Sequence, residues 1–419
     1  MPISPGERRS IPQPVRFGKP SPFLNGLRCI KCAKVWPLDD HLSGCPACAQ
    51  AGTPASVAPS FFHLPSLCTP QDIPFWMAYP GASELGEGNT PLIDLPRLAT
   101  QNDLERLMVK NEAANPSGSH KDRMSAALVR RALDIGPRKV ALASSGNAGA
   151  SLAAYCASAG IECVVVTTQG MAPGWRRSIE LSGAELIVVG DPVSRWELIA
   201  ERVRSGEWYP ATNFTTPAVG SNPFAVDGLR AMAFELYLTL GSDQPTDIVV
   251  PVSRADLLWG ITKGYADLVS AGLLKVMPRI HAAEPFPRIS RALAGENWAG
   301  RFEGQSPFRS LGGDSVTYQA IAALQQSRGL VVSPDTDETI TAQVDLGRQG
   351  LFVETSSAIV LSGLQTLRRQ SDIARGASVL LVATSHGYKE VDSRLGNRSM
   401  GVAETLQKLR FDCSDGSLQ

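Results

Sequence analysis

Apolar segments too continuous for a solvent-facing strand recur along this chain, each followed by a helical pattern. The clearest, IECVVVTT at 161–168, can be buried only in a sheet covered on both faces. RLMVKNE (106–112), KVALA (139–143), AELIVVG (184–190), TDIVVPV (246–252), RIHAAE (279–284) and SVLLVAT (378–384) read as further strands. Between them, ASLAAYCASAG (150–160), NPFAVDGLRAMAFELYLTLG (222–241) and LLWGITKGYADLVSAG (257–272) read as helices. The alternation predicts an α/β fold with right-handed crossovers. Ligands of such folds collect beyond the carboxyl ends of the strands, so the turns leaving the strands are where chemistry is expected.

Charge narrows the partners. Forty Lys and Arg balance 40 Asp and Glu among 419 residues, so no basic field exists to attract nucleic acid or an anionic membrane. The first twenty residues lack the apolar stretch of a secretion signal. The longest apolar runs, such as VLLVA at 379–383, are too short to span a bilayer. The expectation is a soluble cytoplasmic protein that acts on a small molecule.

Four of the eight cysteines are grouped. Cys29, Cys32, Cys45 and Cys48 form C-x2-C-x12-C-x2-C, with Gly44 and Pro46 supplying turns. Two thiolate pairs at this spacing close a tetrahedral zinc site. Four sulfur ligands leave no open position, so zinc would be structural.

The stretch NPSGSHKDR (115–123) puts Lys121 in what reads as the first turn of a helix, with Ser119 and Asp122 at capping-box spacing. The positive end of the helix dipole disfavours an ammonium there, which suits an amine that must be neutral to react. By itself the spacing is equally that of a solvated surface lysine. SSGNAG (144–149) follows the strand ending at Ala143 and offers backbone N–H groups and a helix N-terminus to an anion. Thr384 closes the last strand with a neutral hydroxyl. The sequence has no G-x-S-x-G elbow, no P-loop and no H-E-x-x-H. GEG at 86–88 is followed by Pro91 and no helix, which argues against a Rossmann cofactor site.

Taken together, these segments resemble those of threonine synthase and its relatives among the fold-type II pyridoxal-phosphate enzymes, over roughly 86–390. The resemblance rests on GNTPL at 88–92, K-x-E at 110–112, NPSGSHKDR, SSGN at 144–147, the NPxxxxG segment 222–228, ETSSA at 354–358 and TSHGYK at 384–389. It implies a tryptophan synthase β-like fold, with two open, twisted, mostly parallel sheets flanked by helices and a small N-terminal zinc ribbon. It makes Lys121 the Schiff-base lysine of pyridoxal 5'-phosphate. Asn147 is then the contact of the cofactor's phenolic oxygen and Thr384 the partner of its pyridine nitrogen. Ser144, Ser145, Gly146, Asn147 and Lys110 are expected at the amino-acid substrate. A homodimer and a role in amino-acid biosynthesis follow from the resemblance alone.

The implied division is 1–26 disordered, 27–52 zinc ribbon, 86–105 with 208–392 the large cofactor-binding domain, 106–207 an inserted α/β domain, and 393–419 a tail. One motif departs from the family. Its glycine-rich phosphate loop corresponds to PVSRADLLWG (251–260), where Ser253, Ala255 and Asp256 replace glycines. Ser253 and Arg254 are expected at the cofactor phosphate. Arg254 can hold that phosphate or pair with Asp256, which is placed to cap the next helix. Ala148, where threonine synthases commonly carry threonine, His120 and Ser385 also depart. The implied activity is threonine synthase-like conversion of O-phosphohomoserine to threonine and phosphate. The alternatives are β-replacement or dehydration of a serine- or threonine-like substrate, and a non-catalytic member with a degenerate phosphate loop.

Overall fold

The computed structural model describes residues 18–81, 85–137 and 139–389. The expected tail 393–419 and residues 1–17 of the expected disordered segment lie outside them. Two sheets carry the α/β part. The first has the order Val331–Val332, Arg279–Ala283, Asp247–Pro251, Ser378–Ala383, Arg106–Asn111, Leu92–Asp94. All its neighbours are parallel except the last pair. The second, Glu185–Val189, Cys163–Thr168, Lys139–Ala143, Trp208–Pro210, is parallel throughout. Val164, Val165 and Val166 are all fully buried, as the continuous apolar run requires.

Two strands sit on the other side of the expected division. Arg106–Asn111, expected in the inserted unit, pairs with Ser378–Ala383 in the six-stranded sheet. Trp208–Pro210, expected in the large domain, pairs with Lys139–Ala143 in the four-stranded sheet. The strand leading to Lys121 thus belongs to one sheet, and the strand that ends at Ala143 belongs to the other. One hydrophobic core runs through both, from Met108 and Leu380 to Val140 and Val165.

The expected long helix 222–241 is broken into Pro223–Asp227, a 3-10 turn Gly228–Arg230, and Ala231–Leu240. Gly228 is a point of close approach, where a Cβ would lie 2.0 Å from the Arg123 carbonyl oxygen. That contact presses this segment against helix Lys121–Ile135.

The ribbon is longer than 27–52 at both ends. Leu24–Cys29 pairs antiparallel with Val35–Trp36 and with Val57–Phe61, so 24–26, expected to be disordered, already form a strand. Its core of Leu27, Cys29, Cys45, Cys48, Ala55 and Val57 packs on Tyr79 and Phe224. Asp40 ties the ribbon to both neighbours, accepting from Arg131 of helix Lys121–Ile135 at 3.0 Å and from the Tyr209 hydroxyl at 2.9 Å.

Candidate active site

Lys121 is the first residue of its helix and His120 the N-cap. The expected capping box does not form. Asp122 instead accepts from the backbone N–H of Ser117 at 2.6 Å and from its hydroxyl, because the chain turns back sharply over 117–120. The Ser119 hydroxyl is buried without a partner.

The position of Lys121 is set from far away in sequence. His120 N–H donates to Thr384 O at 3.0 Å, and His386 N–H donates to Gly118 O at 3.1 Å. The Ser385 hydroxyl also donates to Gly118 O, at 3.1 Å. This short antiparallel seam fastens the loop before Lys121 to the segment leaving the last buried strand. Burial, reinforced by the Lys121 charge, pulls the His120 imidazole well below its ordinary pKa, so it is neutral at physiological pH.

The nearest polar partner of the Lys121 amine is the Met124 sulfur at 3.6 Å. The amine opens on a pocket lined by Met124, Leu128, Leu142, Ala148, Leu152 and Ala225, with Thr212 as a polar member. Burial lowers the Lys121 pKa; the Asp256 charge opposes this and the Arg254 charge adds to it. The turn 251–256 therefore lies within electrostatic reach of the amine.

Asn147, first residue of helix Asn147–Ser158, is held on every side. Its Nδ2 donates to Glu354 Oε1 at 2.9 Å, and its Oδ1 accepts from Lys389 Nζ at 2.8 Å and from Trp175 Nε1 and Ser385 Oγ at 3.3 Å. Glu354 is fully buried and also accepts from Ser310, Ser356 and Ser385. Three sequence motifs meet in this cluster. Ser144 caps the helix after its turn, accepting from Gly149 N–H at 2.9 Å and Gly146 N–H at 3.2 Å. Ser145 contacts the Thr167 hydroxyl at 3.1 Å and accepts from Arg195 at 3.0 Å. The Thr384 hydroxyl lies 3.1 Å from that of Ser357.

Lys110 is elsewhere. Its ammonium is buried and donates to Glu235 and to Thr90 O at 2.8 and 2.7 Å. Glu235 and Glu112 in turn grip Arg123 with four contacts of 2.6–2.8 Å. Lys110 therefore neutralises a carboxylate in the scaffold, which corrects its expected place at the substrate.

The altered phosphate turn takes a left-handed step. Ala255 precedes helix Asp256–Ser270 with φ +72°, the left-handed conformation that glycine adopts freely and that costs other residues about 1–2 kcal/mol. Asp256 is the first residue of the helix and not its cap. Its carboxylate turns to Ser221, accepting from the backbone N–H at 3.1 Å and the hydroxyl at 2.6 Å. Ser253 donates to Gly312 O at 2.7 Å. Arg254 makes no ion pair with Asp256, and its guanidinium lies over the Trp196 ring, 5.3 Å from the centroid.

Sequence reasoning missed Glu354, Lys389, Trp175, Arg195 and Trp196. Glu354 and Lys389 lie inside quoted motifs, but their burial gave no signal. Arg195 and Trp196 stand on an ordinary-looking amphipathic helix, Pro192–Arg204, and gain meaning only when the turn 251–256 folds against them.

Residues 83–385 match the family described as pyridoxal-phosphate-dependent enzyme. This chain belongs to that family. Among pyridoxal-phosphate-dependent enzymes it is 28% identical to threonine synthase of Methanocaldococcus jannaschii over 88% of this chain and 94% of that one. It is 32% identical to threonine synthase of Mycobacterium leprae, over 74% and 84%. The fold is that of O-ureido-L-serine synthase (TM-score 0.61, 21% identity, 78% and 98% covered). It is likewise that of serine racemase from Dictyostelium discoideum (TM-score 0.59, 19% identity, 73% and 94% covered).

The residues of this pyridoxal-phosphate-dependent enzyme fit the cofactor. The Lys121 amine and the partnerless buried Thr212 hydroxyl share one pocket. The turn 251–256 retains its left-handed step, Asp256 is drawn aside by Ser221, and the helix start offers its first-turn N–H groups to an anion. The four ribbon sulfurs lie within 4.8 Å of one another, with Cys29–Cys48 at 3.6 Å and Cys32–Cys45 at 3.8 Å. That is the spacing four thiolates take when each sits about 2.3 Å from a single zinc ion. Among the described residues no helix is long and apolar enough to cross a membrane.

Proposed function

We propose that this chain is a lyase that carries out elimination and replacement on an amino acid, with the chemistry of threonine synthase: O-phosphohomoserine to threonine and phosphate. The observation that carries the reading is the Lys121 amine, set in an apolar pocket with no carboxylate bonded to it and fixed by the seam to Thr384–His386. Pyridoxal phosphate, when bound, supplies the electron sink for breaking bonds at the substrate α-carbon.

The chain's own residues do the rest. Lys121 holds the cofactor, and burial lowers its pKa, which favours the neutral amine that takes and returns protons. Asn147, locked by Glu354, Lys389 and Trp175, and Thr384, set by Ser357, orient the cofactor ring. Thr384 is neutral, so it does not draw a proton onto the ring nitrogen as a carboxylate does. Ser253 and the first-turn amides of Asp256–Ser270 hold the cofactor phosphate. The turn 144–147 receives the substrate carboxylate. The four cysteines hold zinc as a structural ion.

The test is absorbance of the purified protein with and without added pyridoxal phosphate, followed by borohydride reduction and peptide mapping. A covalent adduct at Lys121, absent in Lys121→Ala, is expected; a protein that takes up no cofactor sinks the reading. Phosphate release from O-phosphohomoserine then tests the substrate. One observation favours a second reading. Ala148 puts a methyl in the pocket wall where threonine synthases commonly carry a threonine hydroxyl, which suits dehydration of serine or threonine, and ammonia with keto acid in place of phosphate would select it.

A further inference from the structure

The Asn147 amide lies between two opposite charges. Glu354, fully buried, accepts from its Nδ2 at 2.9 Å, and the Lys389 ammonium donates to its Oδ1 at 2.8 Å. An ionised carboxylate can only accept and an ammonium can only donate, so the amide has one possible orientation. Trp175 Nε1, a further group that can only donate, meets the same oxygen at 3.3 Å. Nδ2 carries two hydrogens, and among the described residues Glu354 is its single acceptor. Asn147 is 8% exposed. One of its N–H bonds is thus buried with no acceptor from the protein, which is unfavourable until a ligand supplies one.

The backbone is shaped to let Lys389 reach this place. Its stem passes Gly118, which has φ +78° and where a Cβ would lie 3.1 Å from Lys389 Cε. Burial lowers the Lys389 pKa, and the Glu354 and Asp122 charges oppose that. Ser385, which stands where the family carries glycine, donates to Glu354 Oε1 at 2.8 Å and so fastens the carboxylate to the segment that seats Lys121. Lys389 meets Glu354 through the amide and not directly. A negative charge at the N–H end and a positive charge at the oxygen end both add to the dipole of the amide. Its free N–H is thereby a stronger donor than that of an isolated amide.

We propose that Lys389 and Glu354 are positioning residues that act through Asn147 on the ring oxygen of the cofactor, sharpening a single N–H donor that keeps this oxygen anionic. The inference rests on the function proposed above, in which Asn147 faces the ring. It goes further than orientation. The ring nitrogen meets the neutral Thr384 hydroxyl, so the charged groups that tune the ring act at its oxygen edge instead. Neither Lys389 nor Glu354 has to touch the cofactor for this, and Lys121 remains the residue that holds it.

The experiment titrates the full chain with pyridoxal phosphate and follows absorbance at fixed pH. Wild type, Lys389→Met, Lys389→Arg, Asn147→Ala and the double variant of Asn147→Ala with Lys389→Met are compared. Lys389→Met is expected to weaken cofactor binding about 10-fold, since the charge-assisted contact that orients the donor is lost. It should also move the absorbance of the bound cofactor to shorter wavelength, as the ring oxygen takes up a proton. Lys389→Arg should restore most of both. In the Asn147→Ala background the same Lys389→Met change should alter affinity less than about twofold, because the residues act as one unit. Equal effects in both backgrounds overturn the proposal, since Lys389 would then act without Asn147. Wild-type affinity and spectrum in Lys389→Met overturn it as well. So does weakened binding with an unshifted spectrum, which would make Lys389 part of the scaffold. Where Lys389→Met fails to fold, Lys389→Gln, which keeps a donor without the charge, replaces it in both backgrounds. A wild type that takes up no cofactor sinks the functional reading and this inference together, whereas uptake by the wild type with unaltered variants sinks the inference alone.

Discussion

Two groups of charged side chains flank the Lys121 helix, and they differ in how they are neutralised. Lys110, Glu112, Arg123 and Glu235 are buried two cations against two anions, joined by contacts of 2.6–2.8 Å and completed by Thr90, Asn89 and Asn115. Lys121, Arg195 and Arg254 form no ion pair; the carboxylates that act on them, Asp256, Asp314 and Asp191, stand off, and Asp256 is bonded to Ser221. The first group satisfies itself and has nothing left to offer a ligand. The second has donors and charge to spare. Both contribute residues to the recognisable motifs, so motif membership does not separate scaffold from chemistry, whereas internal charge balance does.

The comparison is tested most severely at Glu235. Burial pushes its carboxyl pKa up, but Arg123 and Lys110 overcome this and hold it at about 2. Its contribution is therefore fully present above the ordinary value of 4.5 and is lost as pH falls from there toward 2. Glu235→Gln leaves a buried cation unmatched and should cost about 3–5 kcal/mol at pH 7, with the loss narrowing on acidification. Urea unfolding from pH 7 to pH 3 measures both. A variant that melts like the wild type would show the cluster to be ornamental and erase the distinction.

Arg195→Gln sharpens the same contrast from the other side. Removing a charge that is in no ion pair and donates only to Ser145 and the Pro192 carbonyl should alter stability by less than about 1 kcal/mol. A loss as large as that of Glu235→Gln would make Arg195 part of the scaffold. The smallest effect is expected at Ala255, whose φ of +72° suits glycine. Ala255→Gly should stabilise the fold by about 0.5–1 kcal/mol, the left-handed strain relieved less the entropy that glycine adds to the unfolded chain. Thermal melting of the otherwise unchanged protein checks the sign.

Much of the α/β part was legible because continuous apolar strands and helical stripes differ in period, and because the ordered motifs named the family. Sheet membership was not. Arg106–Asn111 and Lys139–Ala143 look alike as sequences, and only their pairing, with Ser378–Ala383 and with Cys163–Thr168, puts them in different sheets. The need for glycine at 228 was hidden for a related reason: the carbonyl that leaves no room for a Cβ belongs to Arg123 on another helix. At the site, local pattern singled out Lys121, the turn 144–149 and Thr384, and the family resemblance alone added Asn147. Lys110 misled, since a lysine on a strand carries no sign of whether Glu235 will meet it. Arg195 left no trace at all, because its partner Ser145 lies 50 positions away in sequence.

The seam between Gly118–His120 and Thr384–His386 also sets an order of events. His120 and Thr384 are 264 positions apart, so a chain emerging from the ribosome exposes Lys121 long before the segment that seats it has been made. Domains fold as units while synthesis proceeds, and here the amine stays unplaced until the final buried strand arrives. A chain cut short of Thr384 would carry every residue that touches the Lys121 pocket and still lack the hydrogen bonds that aim the amine. Completion of synthesis thereby becomes the step that arms the site.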